Sequence, residues 1–204
     1  MSSFRLTLLR HGATIAPAGI LTGHTDLPLS ALGEQQMAGR NNYFSRFPPS
    51  SIASSDLCRC AGFARQLAGK AGLDCHIDSK LREMNFGELD GLAKAQWSEA
   101  QQAAWALWSQ NPEANTGADI ESWVSFSARV NAAFRAWLQV SHGNHRVMIT
   151  HGGVAKALLL NWLGLPAVRH NQFWLAHAGM ITLYWDDEYL PILQGIDNEV
   201  LLGA

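Results

Sequence analysis

Phe4-Arg5-Leu6-Thr7-Leu8-Leu9-Arg10-His11-Gly12 has a counterpart late in the chain, Arg146-Val147-Met148-Ile149-Thr150-His151-Gly152-Gly153. Each is a short apolar run ending in histidine and glycine. Runs of this length, bounded by a glycine, read as buried strands. The glycine lets the backbone turn and admits a ligand closely. Two such strands would carry imidazoles to the C-terminal rim of one sheet. With arginines close by, the pair predicts an oxyanion-binding and nucleophilic site.

Outward from these runs, strand and helix patterns alternate. The loop from Ala13 to Leu29 carries Pro17, Gly19, Gly23 and Pro28, and loops this long in a compact domain tend to have work to do. Ser30 suits the N-cap of a helix from Ala31 to about Phe44, stopped by Pro48-Pro49. Ser51 to Ser54 reads as a strand, Leu57 to Gly69 as a helix and Cys75 to Ile77 as a brief strand. Leu81 to Gly91 is irregular. Helices are expected over Ala93 to Ser109, Glu121 to Val140 and Val154 to Leu163, with a polar stretch running to Asp119. Phe173–Ala176 and Met180–Trp185 predict a hairpin around His177-Ala178-Gly179. The expected fold is α/β: a mainly parallel central sheet with helices on both faces.

The 204 residues suit one domain, and 48% apolar against 16% charged content marks a folded chain. A net charge of −2 offers no general attraction to nucleic acid or anionic membrane. An anionic substrate must therefore be held by local cations. No run approaches a membrane span and no signal-peptide pattern opens the chain, so a cytoplasmic location is expected. Cys58, Cys60 and Cys75 make an odd count that argues against a disulfide framework, and Cys58-Arg59-Cys60, with no second C-x-C pair, reads as buried thiols on a helix face in preference to a metal or redox pair.

Phosphoryl transfer needs a nucleophile, cations around the phosphoryl oxygens and an acid for the leaving oxygen. His11 and His151 offer ring nitrogens. Arg10 is adjacent, and Arg59 starts the helix after Ser51–Ser54; their planar guanidinium groups suit bidentate capture of oxygens. Gly12 and Gly152 can present backbone amides to an anion. Glu83 reads either as the acid or as an ion-pair partner of Arg82. The two histidines read as metal ligands only against the repulsion of the arginines. His24 and His177 read equally as pocket mouth or surface. His76 and His170 are expected on the surface, and His142-Gly143-Asn144-His145 as a solvated turn. Asp26 and Asp56 read as turn or N-cap residues.

Taken together, these segments resemble the histidine phosphatase superfamily in its phosphoglycerate-mutase-like branch. Leu9-Arg10-His11-Gly12-Ala13-Thr14 is similar to the nucleophile motif, and Gly23-His24-Thr25-Asp26 onward to the loop that follows it. Ser54-Ser55-Asp56-Leu57-Cys58-Arg59 is similar to the second-arginine motif, the stretch from Glu83 to Gly91 to the acid motif, and Thr150-His151-Gly152-Gly153 to the second histidine motif. The resemblance implies a phosphorylated nucleophile at His11, with phosphoryl oxygens held by Arg10, Arg59 and His151. It implies an acid, then base, at Glu83, and substrate contacts from Gly12, Thr14, Gly23, His24 and Gly152. No metal and no cofactor are implied. Gly152 follows the second histidine where the acid-phosphatase branch has its aspartate. Ala13 stands for the family's usual Glu, Pro17 near a common Asn, Asp56 for a common Pro, and Ile120 for a Gly.

A helical insertion at about 88–120 is expected over the site, within a single domain spanning 1–204. From Glu88 to Ala128 its only cation is Lys94, whereas Trp97, Trp105 and Trp108 crowd it. A doubly anionic three-carbon substrate would want more positive charge. The tryptophans either pack the insertion or cover a flat, uncharged leaving group. The layout looks most like α-ribazole-phosphate phosphatases of cobalamin nucleotide-loop assembly. The alternatives are a broad-specificity or sugar-phosphate phosphatase, a phosphoglycerate mutase, and an inactive phospho-ligand or protein-binding module. The partner expected is a small phosphomonoester, and the sequence leaves the oligomeric state open.

Overall fold

The computed structural model describes residues 3–113, 119–186 and 190–199. Among them the strands are β1 (Phe4–Arg10), β2 (Ser51–Ser54), β3 (Cys75–Ile77), β4 (His145–Thr150), β5 (Met180–Trp185) and β6 (Ile192–Asp197). They form one sheet in the order β3-β2-β4-β1-β5-β6. β1 to β4 pair in parallel, and β5 runs antiparallel to both β1 and β6. The mainly parallel α/β sheet expected from the sequence is present.

The helices are α1 (Ala31–Gly39), α2 (Asn41–Arg46), α3 (Cys58–Ala71), α4 (Glu99–Gln110), α5 (Trp123–Val140) and α6 (Gly152–Trp162). Side chains alternate faces along a strand, and the core divides accordingly. Leu6, Leu8 and Met148 join Phe126 and Phe134 of α5 and Leu158 of α6. On the other face, Leu9, Val147 and Ile149 join Met37, Phe44 and Phe63 of α1 to α3. The helices that follow β1 and β4 thus lie on opposite faces, which opens a crevice at the C-terminal ends of these two neighbouring strands. Register pairs Arg10 with Thr150 and Ser54 with Ile149, so His11, His151 and the start of α3 emerge at one rim.

Several expectations are corrected. The helix from Ala31 to about Phe44 is two helices, broken at Arg40. That buried side chain donates to Ala178 O at 2.6 Å and pairs with Asp197 at 2.7 Å. The break answers to contacts far along the chain, which periodicity does not carry. The helix from Ala93 becomes a 3₁₀ turn (Lys94–Gln96), an extended Trp97, and α4 capped reciprocally by Ser98 and Gln101. Phe173–Ala176 forms no strand. Asn198 instead takes up Ala176 N–H and Trp174 O, and β5 pairs with β6. Residues 114–118, within the expected insertion, lie outside the described residues.

His145 is no solvated turn residue. It opens β4, buried, with Thr7 Oγ1 at 2.9 Å and Phe47 O at 3.0 Å. His170 is likewise buried, its ring 5.3 Å from that of Trp108 and 5.7 Å from that of Trp123. Of the thiols, Cys60 is buried and Cys58 exposed. Asp56 caps no helix but pairs with Arg82 at 2.5 Å, which leaves Glu83 free of that partner. Asp26 accepts from Cys58 N at 2.8 Å and so caps α3 from a distance.

Candidate active site

His11 leaves β1 with its Nδ1 2.7 Å from Gly12 O. A carbonyl can only accept, so Nδ1 carries the proton and Nε2 keeps its lone pair. Burial, then the nearby Arg59 and Arg10 charges, hold the imidazole well below its ordinary pKa. The ring is therefore neutral near pH 7. A side chain at Gly12 would place its Cβ 2.4 Å from Gly33 O, so the turn after His11 requires glycine.

His151 is fully buried at the end of β4, its ring 5.2 Å from that of His11. Arg59 Nε donates to its Nδ1 at 3.3 Å, which leaves the proton on Nε2. Burial and Arg59 again lower its pKa strongly. The two imidazoles are thus complementary: one offers a lone pair and the other an N–H. Cys60 Sγ fills the space beside the His151 ring, 3.6 Å from Nε2.

Arg59 itself is completely buried and donates to three carbonyls of the first loop: Thr25 at 2.8 Å, Thr22 at 3.2 Å and Gly23 at 2.6 Å. Only one guanidinium N–H remains uncommitted, so the free bidentate fork expected from the sequence is not available in this arrangement. The loop is held in turn by Asp90, whose carboxylate accepts from Gly23 N, His24 N and Thr25 Oγ1 at 3.0, 2.6 and 2.8 Å. Gly23 has no room for a Cβ, which would fall 2.1 Å from Met84 O. His24 turns away from the pocket mouth and donates to Glu83 O at 3.1 Å.

Arg10 donates to Leu175 O at 2.6 Å, and its Nη2 lies 3.0 Å from His177 Nε2. Its buried Nε has no partner among the described residues. His177 is thereby a member of the cluster, its ring 5.8 Å from that of His11. Glu83 accepts from Met84 N at 2.9 Å and from Gly153 N, at the start of α6, at 2.8 Å. Arg129, itself paired with Glu121, donates to Glu83 O at 3.3 Å.

Two cavities adjoin at Arg10, Leu21, Glu83 and Phe86. The first, about 430 Å³, is bounded by His11, Thr14, Pro17 and His177. The second, about 350 Å³, is bounded by Gly152, Gly153, Lys156 and the rings of Phe86, Trp105, Trp108, Trp123 and Trp174. Trp97 lies outside both and packs edge-on to Trp105 at 5.9 Å. Asp90, Arg129 and Lys156 escaped the sequence reading. Lys156 alone had a local signal, lying four residues after Gly152 on one helix face.

The sequence pattern of the histidine phosphatase superfamily (branch 1) matches residues 6–197. A protein of Salmonella arizonae named probable phosphoglycerate mutase GpmB is 32% identical over 185 residues, 90% of this chain and 86% of that protein. Glucosyl-3-phosphoglycerate phosphatase of Mycobacterium tuberculosis is 31% identical over 198 residues, 91% of this chain and 85% of its own. Among solved structures, an Escherichia coli protein described as a candidate alpha-ribazole-5'-P phosphatase superposes with a TM-score of 0.86, covering 100% of both chains at 22% identity. At that identity the likeness is one of fold.

Proposed function

The chain belongs to the histidine phosphatase superfamily, and from that premise we propose that it hydrolyses phosphomonoesters through a phosphohistidine on His11, without a metal ion. The observation that carries this reading is the pair of buried imidazoles 5.2 Å apart, with the His11 proton tied to Gly12 O so that its Nε2 lone pair is free to attack. In the first step His11 Nε2 attacks phosphorus. The N–P bond forms as the P–O bond breaks, and Glu83 gives its proton to the leaving oxygen. Arg10, the charge of Arg59 and His151 Nε2–H stabilise the transferring group. In the second step the Glu83 carboxylate takes a proton from water. The water oxygen attacks phosphorus, the P–N bond breaks and inorganic phosphate leaves. A carboxylate oxygen has two lone-pair sites, so Glu83 can carry its proton while still accepting from Gly153 N.

Hydrolysis is favoured over intramolecular rearrangement by the second cavity. Its aromatic walls suit a ring-bearing leaving group larger than a three-carbon acid. α-Ribazole phosphate, the substrate expected from the sequence resemblance, is one member of that class.

The test is release of phosphate from 4-nitrophenyl phosphate with chelator present, comparing the wild type with His11→Ala. We expect release from the wild type alone, with an acid-labile phosphoenzyme on rapid quenching. Chelator-sensitive release, or release by a folded His11→Ala protein, would reject the mechanism. α-Ribazole phosphate compared with 3-phosphoglycerate then tests the leaving-group class, and faster turnover of the three-carbon ester would reject it.

A further inference from the structure

Within the stretch that carries the tryptophans, from Glu88 to Ala128, Lys94 is the only cation. α6 supplies another. It starts at the His151 rim, and its Lys156 reaches the aromatic cavity from the opposite wall. Lys156 is half-buried and makes no hydrogen bond or ion pair with any described residue. Burial lowers its pKa, Glu83 being the nearby anion that opposes the shift. A lysine usually keeps its ammonium in water, so one held among rings lacks a counter-group.

The ring of Trp108 forms part of the same walls. Trp108 is 7% exposed and lines the cavity, while its Nε1–H, sealed from solvent, has no acceptor among the described residues. Buried indole N–H groups ordinarily find a partner. The wall's other titratable ring, His170, faces Trp108 and Trp123 with its Nδ1 proton given to Ala167 O. Trp174, 72% exposed at the edge of the cavity, offers a flat face to whatever enters.

A charged donor without a partner calls for a ligand bearing an anionic oxygen acceptor. The flat rings call for a planar or ring-shaped body. Resting on the phosphomonoesterase reading, we infer that the cavity takes a ring-bearing leaving group with a carboxylate, read by Lys156. Lys156 is then a specificity-determining residue. The inference ranks α-ribazole phosphate, nucleoside-like and uncharged in its base, below an ester of this kind.

The test uses 4-carboxyphenyl phosphate and its neutral near-isostere, 4-carbamoylphenyl phosphate. Wild type should prefer the carboxylate by about tenfold in kcat/KM, mainly through KM, as expected for a charge-assisted hydrogen bond. Lys156→Met should bring the ratio to about one, and Lys156→Arg should restore most of it. Equal loss on both substrates in Lys156→Met would mean that the lysine acts on the phosphoryl group or on Glu83, and would overturn the inference. So would a wild-type ratio near one. Binding to His11→Ala, followed by tryptophan fluorescence, reads the same preference without turnover. If wild type hydrolyses neither ester, the phosphatase reading fails by itself and the binding ratio still decides the subsite.

Discussion

The Glu83 carboxylate fills the space in which a side chain on Gly153 would lie. The Gly153 amide donates to Glu83 Oε2 at 2.8 Å, and a Cβ on Gly153 would lie 2.2 Å from Glu83 Oε1. The start of α6 therefore both holds the carboxylate, with its amide and its helix dipole, and leaves it room. Gly153→Ala should displace the acid without unfolding the chain. General acids contribute about 10²- to 10⁴-fold, so kcat on an alkyl phosphate should fall by about 10²-fold or more. On 4-nitrophenyl phosphate, whose leaving oxygen needs no proton, the loss should be much smaller. Equal losses on both substrates would reject the acid role of Glu83.

Asp90 acts on the site through Arg59. It collects the amides of Gly23 and His24 and the Thr25 hydroxyl, and the loop it shapes turns its carbonyls onto the guanidinium. Asp90→Ala should release this loop and cost about 1–3 kcal/mol of stability through the donors left unpaired. Arg59 would swing from His151, so kcat/KM should drop further than stability alone explains. Thermal melts set beside kinetics at a temperature where the variant stays folded would separate the two effects.

His177 gives the site a readable acid limit. Burial, then the Arg10 charge, push its pKa down to about 4 from an ordinary 6.5. The neutral ring accepts from Arg10, and a protonated ring could not. As pH falls, the unfolded chain takes up this proton before the folded one does. The stabilisation is therefore complete above about pH 6.5 and is lost as pH falls from there towards 4. The buried His11, His151, His145 and His170 are shifted in the same direction and add to the slope. Melting temperature should decline between about pH 7 and pH 5, less steeply in His177→Gln. A slope that does not change in this variant would show that His177 is not one of the groups responsible.

The central sheet was readable because β1 and β4 bury both faces and end in glycine, a pattern written within nine residues. Ser30 announced its helix for an equally local reason: its side chain accepts from the amide three residues on. What was not readable lies in pairs far apart in sequence. Arg40 breaks a helix through Ala178 and Asp197, His145 is buried by Thr7 and Phe47, and Asp90 shapes a loop beginning some 65 residues earlier. His11, Arg10, Arg59, Glu83 and His151 could be picked out by motif, but their hydrogen bonds could not. Arg59 looks free in sequence and is almost fully engaged in the fold. Lys156 is not legible from the tryptophan-bearing segment, because the cavity wall is drawn from several segments.

Arg129 is the remaining long-range determinant, and its effect can be separated from simple stability. It meets Glu121 through two hydrogen bonds, at 2.9 and 2.7 Å, and donates to the carbonyls of Lys80, Arg82 and Glu83. Glu121 closes the arrangement by accepting from Asn85 N at 3.1 Å. Glu121, just ahead of α5, and Arg129 within it thus clamp the backbone on both sides of Glu83. Arg129→Met strands a part-buried carboxylate and several carbonyls, so it should cost about 1–3 kcal/mol, more than a surface ion pair is worth. Adding Glu121→Gln should cost less than the sum of the two single changes, because the stranded charge is then gone. Since Arg10 and Arg59 keep their own contacts, KM should change little while kcat on alkyl phosphates falls. A rise in KM at constant kcat would place Arg129 in substrate binding and not in holding the acid.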